Sequence, residues 1–584
     1  MRARTSKAHL PRPPARMLAE HDVPLRHWTV LAQDPGILDD NGHALTTTVV
    51  VPAERLERGP KGHRVHVVDY DASTDRYYRA RKDDLETDHY ARVRDIDKLV
   101  RDPHFHQQNA YSLVMSTLFL FEKALGRPID WGFNQSSHQI KVAPHAFEDA
   151  NAYYSRESES INFGYFPDEA GKRVFTCLSH DIVVHETTHA LLDGLRQHYL
   201  NPSSPDQAGF HEGFADIVAL LSVFQHRPII EVALRPLKDR AGRIPASKLT
   251  LETLGDTALA KLAEEMGAAL EGVRGAALRH SVAIKPDRRL YTSELYAEEH
   301  DRGELLVAIV IRTFLRIWLQ RLQPLLEHKN SALARSVVAE EGSAAAGQLL
   351  RILIRAIDYM PPVDITYRDY LSAILTADAE LFPDAGKFDY RGALREEFRR
   401  YGIDPASSRR EDGLWEPPPV GEFKFTGMHF ERLQRDPTTV FRFVWENRDA
   451  LGIFPDAFTR VISVRPVIRV SCDGTVLRET VAEYVQTLAI FSPELASIGI
   501  KKPDGMRRSR LIRLYGGGTL IFSEYGQLKY HVGTGVRSAR QSERLQCLWD
   551  HGYFDEQASP TATRIARMHQ HRALRPLREI REDW

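Results

Sequence analysis

Cysteine is scarce, with three in 584 residues: Cys177, Cys472 and Cys547. They lie far apart, are odd in number and form no CxxC pair, which argues against a disulfide framework and fits a reducing compartment. Net charge is missing too. Lys and Arg total 78 against 79 Asp and Glu, so no overall field draws the chain to nucleic acid or to an acidic surface. Long apolar runs are absent. The longest, Leu305 to Leu319, is interrupted by Arg312 and Arg316 and is too short to span a bilayer, so it reads as a buried helix. The basic, proline-containing stretch from Met1 to Met17 lacks the apolar core of a secretory signal. These absences together predict a cytoplasmic protein with no membrane and no nucleic-acid partner. Several catalytic signatures are also lacking. There is no GxSxG elbow, Gly171-Lys172 is not followed by the Ser or Thr of a phosphate loop, and Gly516-Gly517-Gly518 precedes a strand and reads as a turn. No internal repeat or heptad array is present.

What the chain does have is 42% hydrophobic residues, enough for two or three globular domains. Residues 1–40 show little periodic pattern and read as a mobile arm. Thr46 to Val51 and Arg64 to Tyr70, around Gly59-Pro60-Lys61-Gly62, predict strands about a turn. Phe105 to Leu125 turns helical, and short extended segments follow at Gln139 to Val142, Ala152 to Tyr154 and Ser160 to Phe163. A helix is predicted over Asp181 to Asp193, capped by Ser179 and ended by Gly194. Beyond Glu212 the periodicity is helical nearly to residue 403. Residues 404–420, with Pro417-Pro418-Pro419, read as a linker, since such a run cannot join a helix or an inner strand. Residues 421–584 then make a separate α+β domain, with strands at Val461 to Val470, Leu511 to Tyr515, Thr519 to Phe522 and Gln527 to Val532. A basic helix is predicted at Ala562 to Arg581.

The chemistry concentrates in His185-Glu186-Thr187-Thr188-His189, an HExxH on the predicted helix. Two imidazoles four residues apart point from one face and can reach one metal ion, while Glu186 is offset and can act as general base on a metal-bound water. A catalytic site needs a third protein ligand, and Glu212 in His211-Glu212-Gly213-Phe214-Ala215-Asp216 supplies one. Asp216 shares its helix face and can fix the tautomer of a ligand histidine. Among Phe210, Phe214, Ile217 and Val218 these carboxylates need partners, which weighs against a merely solvated face.

At this point the chain resembles the thermolysin family of gluzincin endopeptidases, with HExxH followed by ExxxD on a second helix. Leu192 and Leu195 stand where the metzincin pattern would need Gly and His or Asp, and the GxMEN-like motif of gluzincin aminopeptidases is absent. The resemblance covers about residues 60–403. It implies a two-lobed peptidase domain over 41–403, with a β-rich lobe at 41–195 and a helical lobe at 196–403. One zinc ion per chain would be held by His185, His189 and Glu212. Asn151-Ala152-Tyr153-Tyr154 resembles the family's edge strand, so Asn151 and Ala152 would contact substrate backbone. Tyr199 and His300 resemble the residues that steady the oxyanion, although the spacing around each departs from the family's. Asp181 matches one calcium-ligand position, but Ile217 to Phe224 is apolar where further carboxylates belong, which leaves calcium doubtful. Phe175, Leu178 and Ile182 would line a specificity pocket or be ordinary core.

The expectation is therefore a metalloendopeptidase acting on a peptide or protein substrate. With no inhibitory propeptide in evidence, restraint by the N-terminal arm, by the C-terminal domain or by a protein regulator remains open. The alternative is a restrained or inactive metalloprotein that works as a binding or assembly module through residues 421–584.

Overall fold

In the computed structural model the described residues are 24–82, 86–133, 137–168, 170–201, 203–259, 281, 283–327, 332–383, 388–407, 410–419, 421–426, 428–470, 474 and 476–554. The chain is a mixed α+β protein. Residues 1–23, Cys472 and the basic segment at 562–581 lie outside the described residues. Among those described, no helix is long and apolar enough to cross a membrane.

Structure begins earlier than the sequence suggests. Strand β1 (Leu25–Leu31) pairs antiparallel with β2 (Thr46–Pro52), so residues 24–40 do not form a mobile arm. Trp28, Val30, Leu31 and Ile37 are buried. The stretch shows no clean alternation, since the last four residues of β1 are buried in succession, and it is fixed instead by pairing with a distant strand.

Strands β3 (Val65–Val67), β6 (Ile140–Glu148) and β8 (Ser160–Pro167) run parallel, and β7 (Ala152–Ser155) and β9 (Arg173–Phe175) pair antiparallel with β8; β4 (Tyr70–Asp71) and β5 (Arg76–Tyr77) form a small ribbon. Behind this sheet lie α1 (Ile96–Arg101) and α2 (Pro103–Leu125). The HExxH segment falls on α3 (His180–Leu195) and the ExxxD segment on α4 (Pro205–Phe224). Gly194 does not end α3; it lies inside the helix because the Asp130 carbonyl oxygen occupies the place a side chain would take, 1.8 Å from an added Cβ. Ser179 is the cap residue, but its hydroxyl bonds the Asp181 carboxylate at 2.5 Å in place of the backbone. The first backbone N–H of the helix instead donates to Gln33 O (2.7 Å).

Helices α5 (Arg227–Ala233), α6 (Glu299–Glu327), α7 (Arg335–Ala356), α8 (Tyr367–Leu381) and α9 (Tyr390–Arg400) complete the helical half, and a ribbon of β10 (Arg243–Pro245) and β11 (Ala332–Ala334) crosses its edge. The proline-rich stretch after Ile403 is laid along this half. Trp415 donates its backbone N–H to Thr376 Oγ1 (2.8 Å) and its indole N–H to Tyr359 O (2.9 Å).

The C-terminal region carries β12 (Phe458–Val470), β13 (Val476–Phe491), β14 (Leu511–Ser523) and β15 (Leu528–Thr534) in one antiparallel sheet, with α10 (Phe430–Leu433), α11 (Pro437–Glu446) and α12 (Arg540–Asp550) around it. Gly516-Gly517-Gly518 is not a turn but the middle of β14. The strand passes beneath Pro362, and a Cβ on Gly517 would stand 2.4 Å from Tyr484 O and 3.0 Å from Pro362 Cγ. Ions lock this sheet to the helical half. Asp358 takes Arg127 (2.6 Å) on one side and Arg469 (2.5 Å) on the other, and Glu479 takes Arg469 (2.9 Å) and the Tyr359 hydroxyl (2.6 Å). Burial pushes Asp358 up, but Arg127 and Arg469 outweigh it and hold the carboxyl below its ordinary range.

Two outcomes follow for stability. Asp358→Ala leaves the Arg127 guanidinium buried without its counter-ion and Arg469 with Glu479 alone, and should cost about 3–5 kcal/mol in urea unfolding; a loss below about 1 kcal/mol, within the range of exposed pairs, would remove the network's structural role. Burial, with Asp181 nearby, raises Asp34 from 3.8 to about 7 despite the Gly36 N–H it accepts. A raised carboxyl stabilises the fold fully below pH about 4 and loses that contribution as pH climbs through 7. Asp34→Asn should therefore melt several degrees higher than wild type at pH 8, and the two curves should converge at pH 4. Parallel curves would show that Asp34 is ionised throughout.

Candidate metal centre

Every residue of α3 is buried, so each polar side chain on it must find a partner inside the protein. Thr187 and Thr188 bond back to Val183 O (2.6 Å) and Val184 O (2.8 Å). His185, Glu186 and His189 are satisfied from outside the helix. His185 Nδ1 faces Asp216 Oδ1 at 2.8 Å. Since a carboxylate accepts, the proton sits on Nδ1 and the lone pair on Nε2. That lone pair lies 3.7 Å from Glu212 Oε2, and His189 Nε2 lies 3.5 Å from Glu212 Oε1.

Ligand atoms about 2.0–2.2 Å from a tetrahedral zinc ion stand roughly 3.4 Å apart along each edge. The two carboxylate–imidazole distances are close to that spacing, the three donors all lie within 4.8 Å of one another, and all three residues are buried. Their chemistry, two imidazoles and one carboxylate with the far side of His185 held by Asp216, suits zinc and leaves one coordination position for water.

Two contacts were not legible as site features. His189 Nδ1 meets His211 Nδ1 at 2.7 Å. If His189 Nε2 serves a metal, Nδ1–H must donate and His211 must accept, which fixes its proton on Nε2. The only available signal was a histidine immediately before the third ligand. Glu186 Oε2 accepts the Tyr154 backbone N–H at 3.0 Å, so strand β7 stands directly beside the proposed base. Its far end is tied to α3 through Asp193, which takes the Tyr154 hydroxyl (2.8 Å) and Arg156 Nε (2.7 Å).

Helix α6 reaches the site because α4 and α6 cross at glycines. A Cβ on Gly213 would lie 2.7 Å from Gly303 O, and one on Gly303 would lie 3.4 Å from Glu212 Cβ. Arg302 locks the crossing by pairing with Asp206 at 2.6 Å. His300 thus lies about one turn before Gly303, where α6 comes against the Glu212 Cβ. Its Nδ1 bonds Glu298 Oε1 at 3.0 Å. Burial raises Glu298, but the hydrogen bond and charge of His300 prevail and bring it to about 2, so an anion stands ready behind this imidazole. Glu298 was not singled out in the sequence.

The remaining expected residues are placed differently. Tyr199 donates its hydroxyl to Pro361 O (2.7 Å) in the core, a commitment that withdraws it from steadying an oxyanion; burial, the largest influence, pushes its phenol up. Asn151 and Ala152 are buried rather than open to substrate: the Asn151 side chain accepts its neighbour's N–H (2.8 Å), and its carbonyl accepts Gly164 N–H (2.8 Å). Leu178 and Ile182 are fully buried core residues, while Phe175 packs against His106 and His145. No family model matches the chain, and no curated protein matches it.

Removing the groups behind the ligands should weaken metal binding without removing a ligand. Asp216→Ala and His211→Ala are each expected to lower zinc affinity by about 10–100-fold, read by competition with a chromophoric chelator. Unchanged affinity in both would mean that these contacts serve packing alone.

Proposed function

We propose that the chain is a zinc-dependent endopeptidase of the thermolysin-like, gluzincin type, with the β-rich and helical halves as its two lobes. The observation that carries this reading is the convergence of His185, His189 and Glu212 at ligand spacing, with Glu186 one residue from the first ligand and Asp216 on its far nitrogen. Bound zinc would supply Lewis acidity to a water and to the scissile carbonyl. The protein's own groups do the rest. Glu186, oriented by the Tyr154 N–H, takes the proton from the attacking water and returns it to the leaving amine. His300, with its Nδ1–H held by Glu298, offers a charged donor to the developing oxyanion. The burial of the surrounding α3 and α4 residues keeps these charges strong.

In this scheme the substrate is an extended peptide lying along β7, and Tyr154 rather than Asn151 or Ala152 is the strand's link to the base. Hydrolysis of an unstructured protein tests the reading. Glu186→Gln should retain its metal and lose about 10²–10⁴-fold in kcat, whereas Glu212→Ala should lose metal and activity together. Chelation should abolish cleavage and added zinc restore it. Full activity in Glu186→Gln would end the proposal.

A further inference from the structure

A second buried cluster stands on the other side of the β-rich half. His106 opens α2, His145 sits on β6, and Cys177 lies in the single 3-10 turn (Thr176–Leu178) that leads into α3. Their donor atoms all lie within 4.8 Å of one another, and none of the three is more than 1% exposed. The strand is shaped for this. Between Ala143 and Phe147 the pairing of β6 with β8 slips, Pro144 removes a donor, and residues 144–146 are buried in succession where a regular strand would alternate. The irregularity turns His145 inward.

The hydrogen bonds fix where the protons are. His106 Nε2 faces Val100 O at 2.9 Å, and a carbonyl only accepts, so Nε2 carries hydrogen. His145 Nδ1 faces Asp69 Oδ1 at 2.8 Å, while Asp69 Oδ2 accepts Gln107 Nε2 at 2.8 Å. A carboxylate oxygen accepts, so Nδ1 of His145 carries hydrogen as well. The two nitrogens left over, His106 Nδ1 and His145 Nε2, are then both lone pairs, and they face each other 2.8 Å apart. Two acceptors cannot stay in that arrangement without a positive charge between or beside them.

We propose that His106, His145 and Cys177 form a second metal site, for a soft d10 cation held by two imidazoles and a thiolate. The pattern behind the ligands is the one that metal-bound histidines require, a carboxylate on one ring and a backbone carbonyl on the other. Charge and coordination number divide such ions. A Cys177 thiolate and the Asp69 carboxylate bring two negative charges to a buried site, which zinc(II) would neutralise with a fourth ligand completing its shell, whereas copper(I) is satisfied by the three donors alone. Ring nitrogens sharing a zinc ion stand about 3.4 Å apart, so binding opens the present separation by roughly half an ångström and displaces the thiol proton. The aromatic rings of Tyr78 and Phe175, 4.4 Å and 5.4 Å from the His145 ring, wall the site off. A cation here loads as the chain folds, and it ties α2, the sheet and the lead into α3 together.

Cobalt(II) reports the two sites separately, because only this one contains sulfur. Full chain produced in cobalt-supplemented medium should show thiolate-to-cobalt charge-transfer absorption, kept in Glu212→Ala and lost in Cys177→Ser. Metal analysis of chain produced with zinc should leave about one equivalent per chain in Glu212→Ala, and copper in its place would equally support the donor set. If Cys177→Ser does not fold, the comparison of wild type with Glu212→Ala decides alone. Absence of the thiolate band in both proteins, with no zinc or copper in Glu212→Ala, would overturn the proposal and leave a shared proton between the rings.

Discussion

The architecture depends on burying a polar donor set inside an apolar pair of helices. α3 has no exposed face, and α4 is buried over nearly its whole length. A histidine or carboxylate in such a place costs several kcal/mol unless it is bonded. The polar groups of α3 that the helix cannot satisfy itself therefore dictate something elsewhere: Asp216 on α4 for His185, His211 for His189, the edge of β7 for Glu186. The position of β7 and the register of α4 against α3 are consequences of these demands.

That dependence explains what the sequence revealed. Periodicity located α2, α3, α4 and most of the strands, because apolar spacing is a local property. The convergence of His185, His189, Glu212 and Asp216 was legible because their spacings, i to i+4 on each of two helices, are local too. Glu298, His211 and Tyr154 became visible only as partners across elements. Tyr199 misled for the same reason. Its place after His189 resembles that of an oxyanion donor, but the fate of its hydroxyl is settled by Pro361, which is 162 residues away. Gly194 and Gly516-Gly517-Gly518 look like stops in a single sequence, and both are instead sites where another backbone passes too close for a side chain.

The C-terminal sheet gives a further case in which a local reading ended too soon. Proline-rich sequence after Ile403 suggested a free tether, yet Trp415 anchors it to Tyr359 and Thr376. The same segment, Ile357 to Pro362, then receives the sheet. Thr519 donates to Met360 O (2.6 Å), Tyr359 bonds Glu479, and Asp358 holds Arg127 and Arg469. Ile521, Tyr530 and Val532 join the main apolar core, while two smaller cores lie within the C-terminal region itself. Buried ion pairs are costly to form and more costly to break, so this docking is specific in orientation and is not a loose association of two bodies.

These contacts converge on the two ends of α3. At its start, the His180 N–H is taken by Gln33, and Cys177, three residues earlier, meets His106 and His145. Just past its end, the buried guanidinium of Arg196 pairs with Glu483 of β13 (2.7 Å) and donates to Ile357 O. His185, Glu186 and His189 of the candidate metal centre occupy the middle. A helix clamped at both ends and satisfied along its length has little freedom to rotate, and rotation is what would separate His185 from Asp216 or move Glu186 off the Tyr154 N–H. On this view the N-terminal strand and the C-terminal sheet act on the candidate metal centre by holding the one element that carries two of its proposed ligands and its proposed base.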